Sequence, residues 1–360
     1  MRSDFANKEK DFLKLEFEKI SQTRQSPSLA RNIEHCVVLS AGMSLLSALV
    51  LLFAAVSGKA YSCIRTNRRD IGIWKRPQAA ATTTFENDLL ALDFDGVICD
   101  SSPESSVSAI RAIQNLWGFR TSDEEFETVK NIVMALRPIV ETGYENLLLA
   151  RLVLEEIRLS GDFDTDTMLR IWCPDLRDSL IEKYGENKEK LIAAFGDTRD
   201  YFIANEFRTW LDLNQLYPGI QDSFQILQQS EFQLDNFFII TTKQERFVIE
   251  ILKSEDLVVP GKENLYGLGN KLGSKVDVLL SLAHNRLKKG HKIHFIEDKV
   301  ETLLQIASTP GLEMVDLYLV DWGYTTLQQR MLAEDHERVE IIDSAQFKKI
   351  CEAFLKTNGT

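Results

Sequence analysis

Apolar runs of strand length alternate with helical patterns along most of the chain and predict an α/β fold. Four such runs end in polar or acidic residues, at 89–92, 237–240, 293–296 and 317–320. Between the later runs the apolar positions recur with helical spacing, as in 244–254 and 274–288. Strands that alternate with helices predict a parallel sheet in a three-layer, Rossmann-like α/β core.

A long segment after the first run shows helical spacing throughout. Its helical stretches are 104–115, 123–136, 144–159 and 199–213. A segment of this length is not a loop. We therefore predict an all-helical cap domain, residues 101–213, inserted into an α/β core formed by residues 85–100 and 214–360.

The first 84 residues differ from the rest and predict a targeting leader. Residues 36–58 carry no charge over 23 positions, which suits both a membrane-spanning helix and the apolar region of a secretory signal. Residues 57–84 carry six basic side chains and one acid, a composition typical of transit peptides. Two hypotheses stay open: a two-part leader that directs the protein to a plastid, and a membrane anchor that leaves the body in the cytosol.

The net charge of −12 over 360 residues is unevenly divided. Because the first 84 residues sum to +6, the remaining residues carry −18. An acidic body argues against a nucleic-acid partner. The five cysteines form no CxxC pair, so neither a zinc site nor a disulfide framework is predicted.

Candidate chemistry lies where the first predicted strand ends. Asp93 and Asp95 follow this strand with one residue between them. Alternate residues of a strand point to the same side, so the two carboxylates are expected to emerge together. In open α/β sheets this edge is where ligands bind.

Four motifs in order carry a resemblance to a known family. They are DFDGVICDS at 93–101, Thr241 after an apolar strand, Lys275 opening the helix in LGSKVDVL, and Glu297-Asp298 after another strand. LYPG at 216–219 and WGY at 322–324 add to it. Over about residues 86–358 the chain resembles the haloacid dehalogenase-like hydrolase superfamily, in its helical-cap, phosphoglycolate-phosphatase-like branch. It is also similar to uncharacterised members from photosynthetic organisms.

The resemblance implies a phosphatase that acts on a small phosphorylated substrate through an aspartyl-phosphate. Asp93 would be the nucleophile, and Asp95 would protonate the leaving alcohol and then deprotonate water. Mg²⁺, which prefers oxygen ligands, would be held by Asp93, the backbone carbonyl of Asp95, and Asp298. The Thr241 hydroxyl and amide, together with Lys275, would bind the phosphoryl group.

The predicted cap supplies candidates for substrate contact, namely Arg137, Glu141 and Tyr144. Arg137 is a candidate clamp for an anionic tail. Two alternatives to a phosphatase stay open: a phosphomutase, and a non-catalytic scaffold or binding protein on the same fold.

Some neighbouring charges are better explained by structural roles. This interpretation is favoured for Lys243, Glu297, Glu301 and Asp321, although Glu297 is also a candidate alternative metal ligand. Lys271 is a weaker rival of Lys275.

Overall fold

The computed structural model describes residues 85, 87–229, 234–268 and 273–355. The predicted leader, residues 1–84 with the apolar segment 36–58, lies outside the described residues, and so does Lys271. Among the helices that the structure describes, none combines the length and the hydropathy needed to cross a membrane.

A six-stranded parallel sheet confirms the predicted α/β, Rossmann-like fold class. The strands of the protein, in chain order, are β1 (Leu89–Leu92), β2 (Cys99–Asp100), β3 (Gln215–Leu216), β4 (Phe237–Ile240), β5 (Leu265–Tyr266), β6 (Ile293–Glu297), β7 (Val315–Val320) and β8 (Val339–Ile342). The large sheet has the order β5-β4-β1-β6-β7-β8. β2 and β3 form a separate antiparallel pair. Every pair in the large sheet is parallel.

Burial on both faces explains why the central strands are continuous apolar runs. All residues of β1, β4 and β6 are buried, as is usual for parallel sheets covered by helices on both sides. Two strands, β5 and β8, were not predicted. β5 has only two residues, and β8 is only partly buried because it is an edge strand.

Helices make up the segment between β2 and β3. They are α1 (Ser102–Trp117), α2 (Asp123–Ala135), α3 (Glu145–Ser160), α4 (Thr165–Ile171), α5 (Pro174–Lys183) and α6 (Lys188–Asp212), with a 3-10 turn at Arg137–Ile139. The remaining helices are α7 (Ile220–Gln229), α8 (Glu245–Ser254), α9 (Lys275–Asn285), α10 (Val300–Ala307), α11 (Leu327–Glu334) and α12 (Ser344–Leu355). The exact boundaries of the cap, 101–213, stay a prediction.

Two compact units divide the described residues. One consists of Thr121–Leu136 and Leu148–Leu191, and the other holds the sheet together with residues 87–120, 137–147 and 192–355. In the first unit a capping box between Ser122 and Glu125 begins α2, and Arg158 of α3 bonds the Glu125 carboxylate at 2.7 Å. The second unit contains every residue of the predicted site.

The strand order places β1 at a topological switch point of the second unit. The chain runs from β1 to β4 on one side and returns to β6 on the other. Loops therefore diverge at the C-terminal end of β1, which opens a crevice there. The residues that follow β1, β4 and β6 meet at this crevice.

Candidate active site

Asp93, the first residue after β1, is held among charged groups from two other elements. Lys275 Nζ lies 2.9 Å from Asp93 Oδ2 and 2.7 Å from Glu297 Oε2. Lys275 reaches them because Ser274 caps α9 with its side chain, in a capping box with Asp277. The capping box makes Lys275 the first residue of the helix, directly beside the strand ends.

Asp298 is the third member of an acidic cluster with Asp93 and Glu297. Two glycines, Gly96 and Gly323, leave the space that the Asp298 side chain occupies. Its Oδ2 accepts a hydrogen bond from the Tyr324 amide at 2.9 Å. A Cβ at Gly96 would lie 2.1 Å from that same oxygen, and one at Gly323 would lie 2.4 Å from the Asp298 Cβ. Gly96 also has φ +85°, which glycine adopts without strain. The DxDG pattern therefore needs its glycine for space as well as for backbone conformation.

Burial and mutual repulsion disfavour ionisation of these carboxyls. Burial and the charge of Glu297 raise the pKa of Asp93 to about 7, although Lys275 acts in the opposite direction. Burial also raises the pKa of Glu297 and, together with the charge of Asp93, that of Asp298. One lysine does not compensate three buried acids.

This acidic cluster, Asp93 with Glu297 and Asp298, fits a divalent cation. One oxygen from each lies within 4.8 Å of the others. Asp93 Oδ1 is buried and has no hydrogen-bond partner among the described residues. Buried carboxylate oxygens with too little compensating charge are suitable ligands for Mg²⁺. The residues present therefore fit the metal that the resemblance implies.

Asp95 is surrounded by cations, although Asp93, only two positions earlier, is surrounded mainly by acids. Its Oδ1 accepts hydrogen bonds from Ser101 Oγ at 2.6 Å and Lys243 Nζ at 3.1 Å, and Arg137 NH2 lies 3.9 Å from its Oδ2. Burial acts to raise the pKa of Asp95, but Lys243, Arg137 and the Ser101 hydroxyl outweigh it and lower the pKa to about 2. Asp95 is therefore ionised and paired.

Arg137 lies near Asp95 and also packs against the aromatic ring of Tyr324. Its guanidinium lies 4.3 Å from the centroid of the Tyr324 ring, and its NH1 donates to the Val140 carbonyl at 3.2 Å. Tyr324 is itself fixed, since its hydroxyl donates to Asp100 Oδ1 at 2.7 Å and accepts from the Ser101 amide at 2.8 Å. The WGY loop thus positions Arg137 beside the acids.

Thr241 corrects one detail of the prediction. Its amide already donates to the Tyr266 carbonyl at 2.8 Å, as part of the sheet, so the expected amide donation to a phosphoryl group is wrong. Its hydroxyl accepts from the Lys243 amide at 3.1 Å and can still donate its proton. Thr242, rather than Thr241, lines the cavities beside Asp95.

The other predicted substrate contacts lie around the same crevice. A cavity of about 270 Å³ is lined by Asp93, Asp95 and Lys275, and Arg137 and Glu141 also line it. Tyr144 is buried and lines a smaller adjacent cavity. The structure brings these residues together, but their roles stay predictions.

Sequence reasoning gave Lys243 only a structural role, yet its buried side chain bonds Asp95. Glu297 was favoured as structural and kept as an alternative metal ligand, and it belongs to the acidic cluster and bonds Lys275. The available signal was closeness to the C-terminal end of a strand, because Glu297 is the last residue of β6 and Lys243 is the third residue after β4. Glu301 and Asp321 are not part of that cluster.

The fold and this site together define an α/β protein with a carboxylate-rich crevice at a topological switch point. No protein-family model matches the chain. A curated phosphoglycolate phosphatase from Vibrio parahaemolyticus is 25% identical over 169 residues, which is 47% of this chain and 56% of that protein. The chain thus spans little more than half the length of this curated relative.

Solved structures of similar proteins were also found. A predicted phosphatase from Clostridium acetobutylicum is 18% identical, with 74% of this chain and 98% of that chain covered and a TM-score of 0.45. A predicted phosphoglycolate phosphatase from Haemophilus somnus is 15% identical, with coverage of 73% and 97% and a TM-score of 0.42. The fold assignment rests on the sheet described above rather than on these scores.

The curated match confirms the resemblance that the motifs carry. The chain resembles the haloacid dehalogenase-like hydrolases of the phosphoglycolate-phosphatase-like branch. No comparison tests the similarity to members from photosynthetic organisms.

Proposed function

We propose that the chain is a Mg²⁺-dependent phosphatase that hydrolyses a small phosphorylated metabolite through an aspartyl-phosphate on Asp93. The observation that carries the proposal is that two aspartates, Asp93 and Asp95, follow the same strand and have opposite charges around them. One is surrounded by acids that suit a metal, and the other by cations. The curated relative, a phosphoglycolate phosphatase, supports the same class of reaction.

Asp93 would act as the nucleophile. Its carboxylate is anchored through Oδ2 to Lys275, which leaves Oδ1 without a partner among the described residues. Asp93, Glu297 and Asp298 would hold Mg²⁺. When bound, the ion would offset the charge of the carboxylates, favour ionised Asp93 and neutralise the phosphoryl oxygens. Lys275 would add to that neutralisation from the protein itself.

Asp95 would move the proton. In the second step, attack of water on the aspartyl-phosphate, an ionised Asp95 is the form that can accept a proton. In the first step it must carry a proton for the leaving alcohol. A phosphate dianion beside Asp95 favours that protonation, because a neighbouring like charge raises the pKa of a carboxyl. Lys243 and Arg137 would then face the phosphate of the substrate, whose charge would take the place of the Asp95 charge as their compensation.

The decisive experiment measures phosphate release from a panel of phosphoesters by the full chain, with Mg²⁺ and with a chelator. We expect release only with Mg²⁺ and its loss, by at least about 1000-fold, in Asp93→Asn. A suitable control is Asp321→Asn, because Asp321 is an exposed acid that directly follows β7. It should retain the wild-type rate.

Three outcomes would contradict the proposal. No release from any ester, by folded protein that binds Mg²⁺, would favour the scaffold alternative. Equal activity of Asp93→Asn and wild type would exclude Asp93 as nucleophile. Transfer of the phosphoryl group to a second hydroxyl of the substrate, without free phosphate, would indicate a phosphomutase.

We further propose that residues 1–84 are a targeting leader that directs the protein to a plastid. The charge-free segment 36–58 and the basic segment after it support this. The first residue of the protein isolated from its native source would test it. A start near residue 84 indicates a cleaved leader, and a start before residue 36 indicates a retained anchor.

A further inference from the structure

A small cavity lies beside Asp95 and has its own set of polar residues. It measures about 30 Å³. Its lining includes Asp95, Arg137, Asn146, Arg199, Lys243 and Gln244. Asp95, Arg137, Glu141 and Thr242 also line the larger cavity that holds Asp93. Since Asp95 is the proton donor in the proposed reaction, the small cavity lies where the leaving group of a phosphoester would be.

The cations that line this small cavity are compensated by acids. Lys243 and Arg137 both face Asp95, at 3.1 and 3.9 Å. Arg199 makes two hydrogen bonds to the buried carboxylate of Glu104, at 2.9 and 2.7 Å. Such a two-point pair neutralises the guanidinium within the protein.

Glu141 adds a further acid to the lining. Among the described residues, the small cavity therefore offers no uncompensated positive charge to a second anionic group on the substrate. A carboxylate placed there would lose its hydration without gaining a free cation, which is costly.

Polar atoms of the lining lack partners, and most of them are acceptors. Asn146 Oδ1, Gln244 Oε1 and Arg137 Nε are buried without a hydrogen-bond partner among the described residues. The orientation of the Asn146 amide is set by its Nδ2, which donates to the Gly143 carbonyl at 2.9 Å. An unpaired buried polar atom is unfavourable, because it has lost its hydration without gaining a partner. A hydroxyl can both donate and accept, whereas a carboxylate only accepts.

Building on the proposed function, we propose that this small cavity receives the hydroxyl end of the leaving group and so selects a leaving group that is a short, uncharged polyol. Asn146 is its specificity-determining residue and accepts a hydrogen bond from a hydroxyl of that leaving group. Gln244 accepts from a second hydroxyl, and Arg137 Nε donates to an oxygen. A volume of about 30 Å³ admits a hydroxymethyl-sized group but no aromatic ring or nucleoside.

The test compares three phosphoesters on the full chain with Mg²⁺. Glycerol phosphate brings hydroxyls, phosphoglycolate brings a carboxylate, and ethyl phosphate brings neither. We expect wild type to favour glycerol phosphate over phosphoglycolate by at least about tenfold in kcat/KM. In Asn146→Leu, kcat/KM for glycerol phosphate should fall at least about tenfold further than for ethyl phosphate, mainly through KM.

Asn214→Leu is the matched control. Asn214 is also buried, its Nδ2 donates to the Trp210 carbonyl at 2.8 Å, and its Oδ1 also lacks a partner among the described residues. It lines a different cavity, around residues 211–219. Its replacement should leave the ratio between esters at the wild-type value. If Asn146→Leu does not fold, Gln244→Met, at a half-buried position, takes its place in the test. Gln244→Met should show the selective loss of kcat/KM that is expected for Asn146→Leu.

The outcomes separate this inference from the function on which it rests. Preference for phosphoglycolate in wild type would overturn the polyol assignment while leaving the phosphatase intact. Equal losses on all three esters in both variants would show that Asn146 and Gln244 do not contact the leaving group. Hydrolysis of none of the esters by wild type would overturn the phosphatase proposal itself and this inference with it.

Discussion

Asp93 and Asp95 are the same residue type, leave the same strand end and differ sharply in their surroundings. On the acidic side, Asp93 shares one lysine with Glu297 and lies close to Asp298, and its pKa is raised to about 7. On the cationic side, Asp95 bonds Lys243 and faces Arg137, and its pKa is lowered to about 2. The difference shows that neighbours, rather than residue type, decide which carboxyl needs an added cation.

The two sides also differ in what the protein supplies by itself. The cationic side is compensated within the chain, so its geometry is complete without a ligand. The acidic side has an excess of negative charge that a divalent ion would relieve. Replacing an aspartate by asparagine should therefore have opposite effects on stability on the two sides.

The largest expected effect is on the cationic side. Asp95→Asn leaves the buried Lys243 and the nearby Arg137 without a carboxylate. Breaking a buried pair from one side leaves an uncompensated charge, and we expect the free energy of unfolding to fall by about 3 kcal/mol. Denaturant unfolding measures it, with Asp321→Asn as a control that changes it by less than about 0.5 kcal/mol. A stability equal to that of wild type would mean that Lys243 does not depend on Asp95.

The next effect removes the lysine side chain that pairs with two members of the acidic cluster. Lys275→Met keeps the length of the side chain but takes the counter-charge from Asp93 and Glu297. In the presence of a chelator, we expect a loss of about 2 kcal/mol. Mg²⁺ should recover part of it by binding the folded state.

Lys292→Met is the control for that substitution. Lys292 pairs with Asp316 on the surface, with about half of its side chain exposed. Exposed pairs contribute about 0–1 kcal/mol, so its loss should be small and insensitive to Mg²⁺. If both lysine variants respond alike, the acidic cluster is not a special site.

A smaller effect of opposite sign is expected for Asp93→Asn. The substitution removes one negative charge from a cluster that has too many, and Lys275 keeps Glu297 as a partner. Without metal at pH 7, we expect the variant to be more stable than wild type by about 1 kcal/mol. Thermal unfolding with a chelator measures this. A destabilised variant would contradict the view that the acidic side is overcharged.

The last prediction concerns the pH dependence of stability, and its sign differs between the two sides. The raised pKa of Asp93 keeps a proton on the folded state that the unfolded chain, with an ordinary pKa of 3.8, releases. Metal-free stability should therefore fall as pH rises from about 4 to about 7, by less than about 1.4 kcal/mol per pH unit. The lowered pKa of Asp95 gives stability that is present above pH 4 and lost as pH falls toward 2.

Two variants separate these windows. Asp93→Asn should flatten the change between pH 4 and 7, and Asp95→Asn the change between pH 4 and 2. Stability curves over the pH range, measured with a chelator, report both. An unchanged slope in both variants would assign the pH dependence to other groups.

Much of the fold could be predicted because parallel strands are buried on both faces and so appear as continuous apolar runs. β1, β4, β6 and β7 were predicted in this way. β5 and β8 were not, since the first is very short and the second is an edge strand with a polar face. α4 and α5 lie in the segment that was predicted to be helical as a whole, but no separate stretch was predicted for them.

The sequence by itself determined which side chains reach the crevice, because residues that follow parallel strands meet at one edge of the sheet. Asp93, Asp95, Asp298 and Lys275 were predicted for this reason. Only the tertiary structure decided their electrostatic roles. Lys243 bonds Asp95, although the two residues are 148 positions apart in the sequence, and the Thr241 amide donates its hydrogen bond to the neighbouring strand. Charge interactions act through space and depend on burial, so no local pattern could show which aspartate would be paired and which would need a metal.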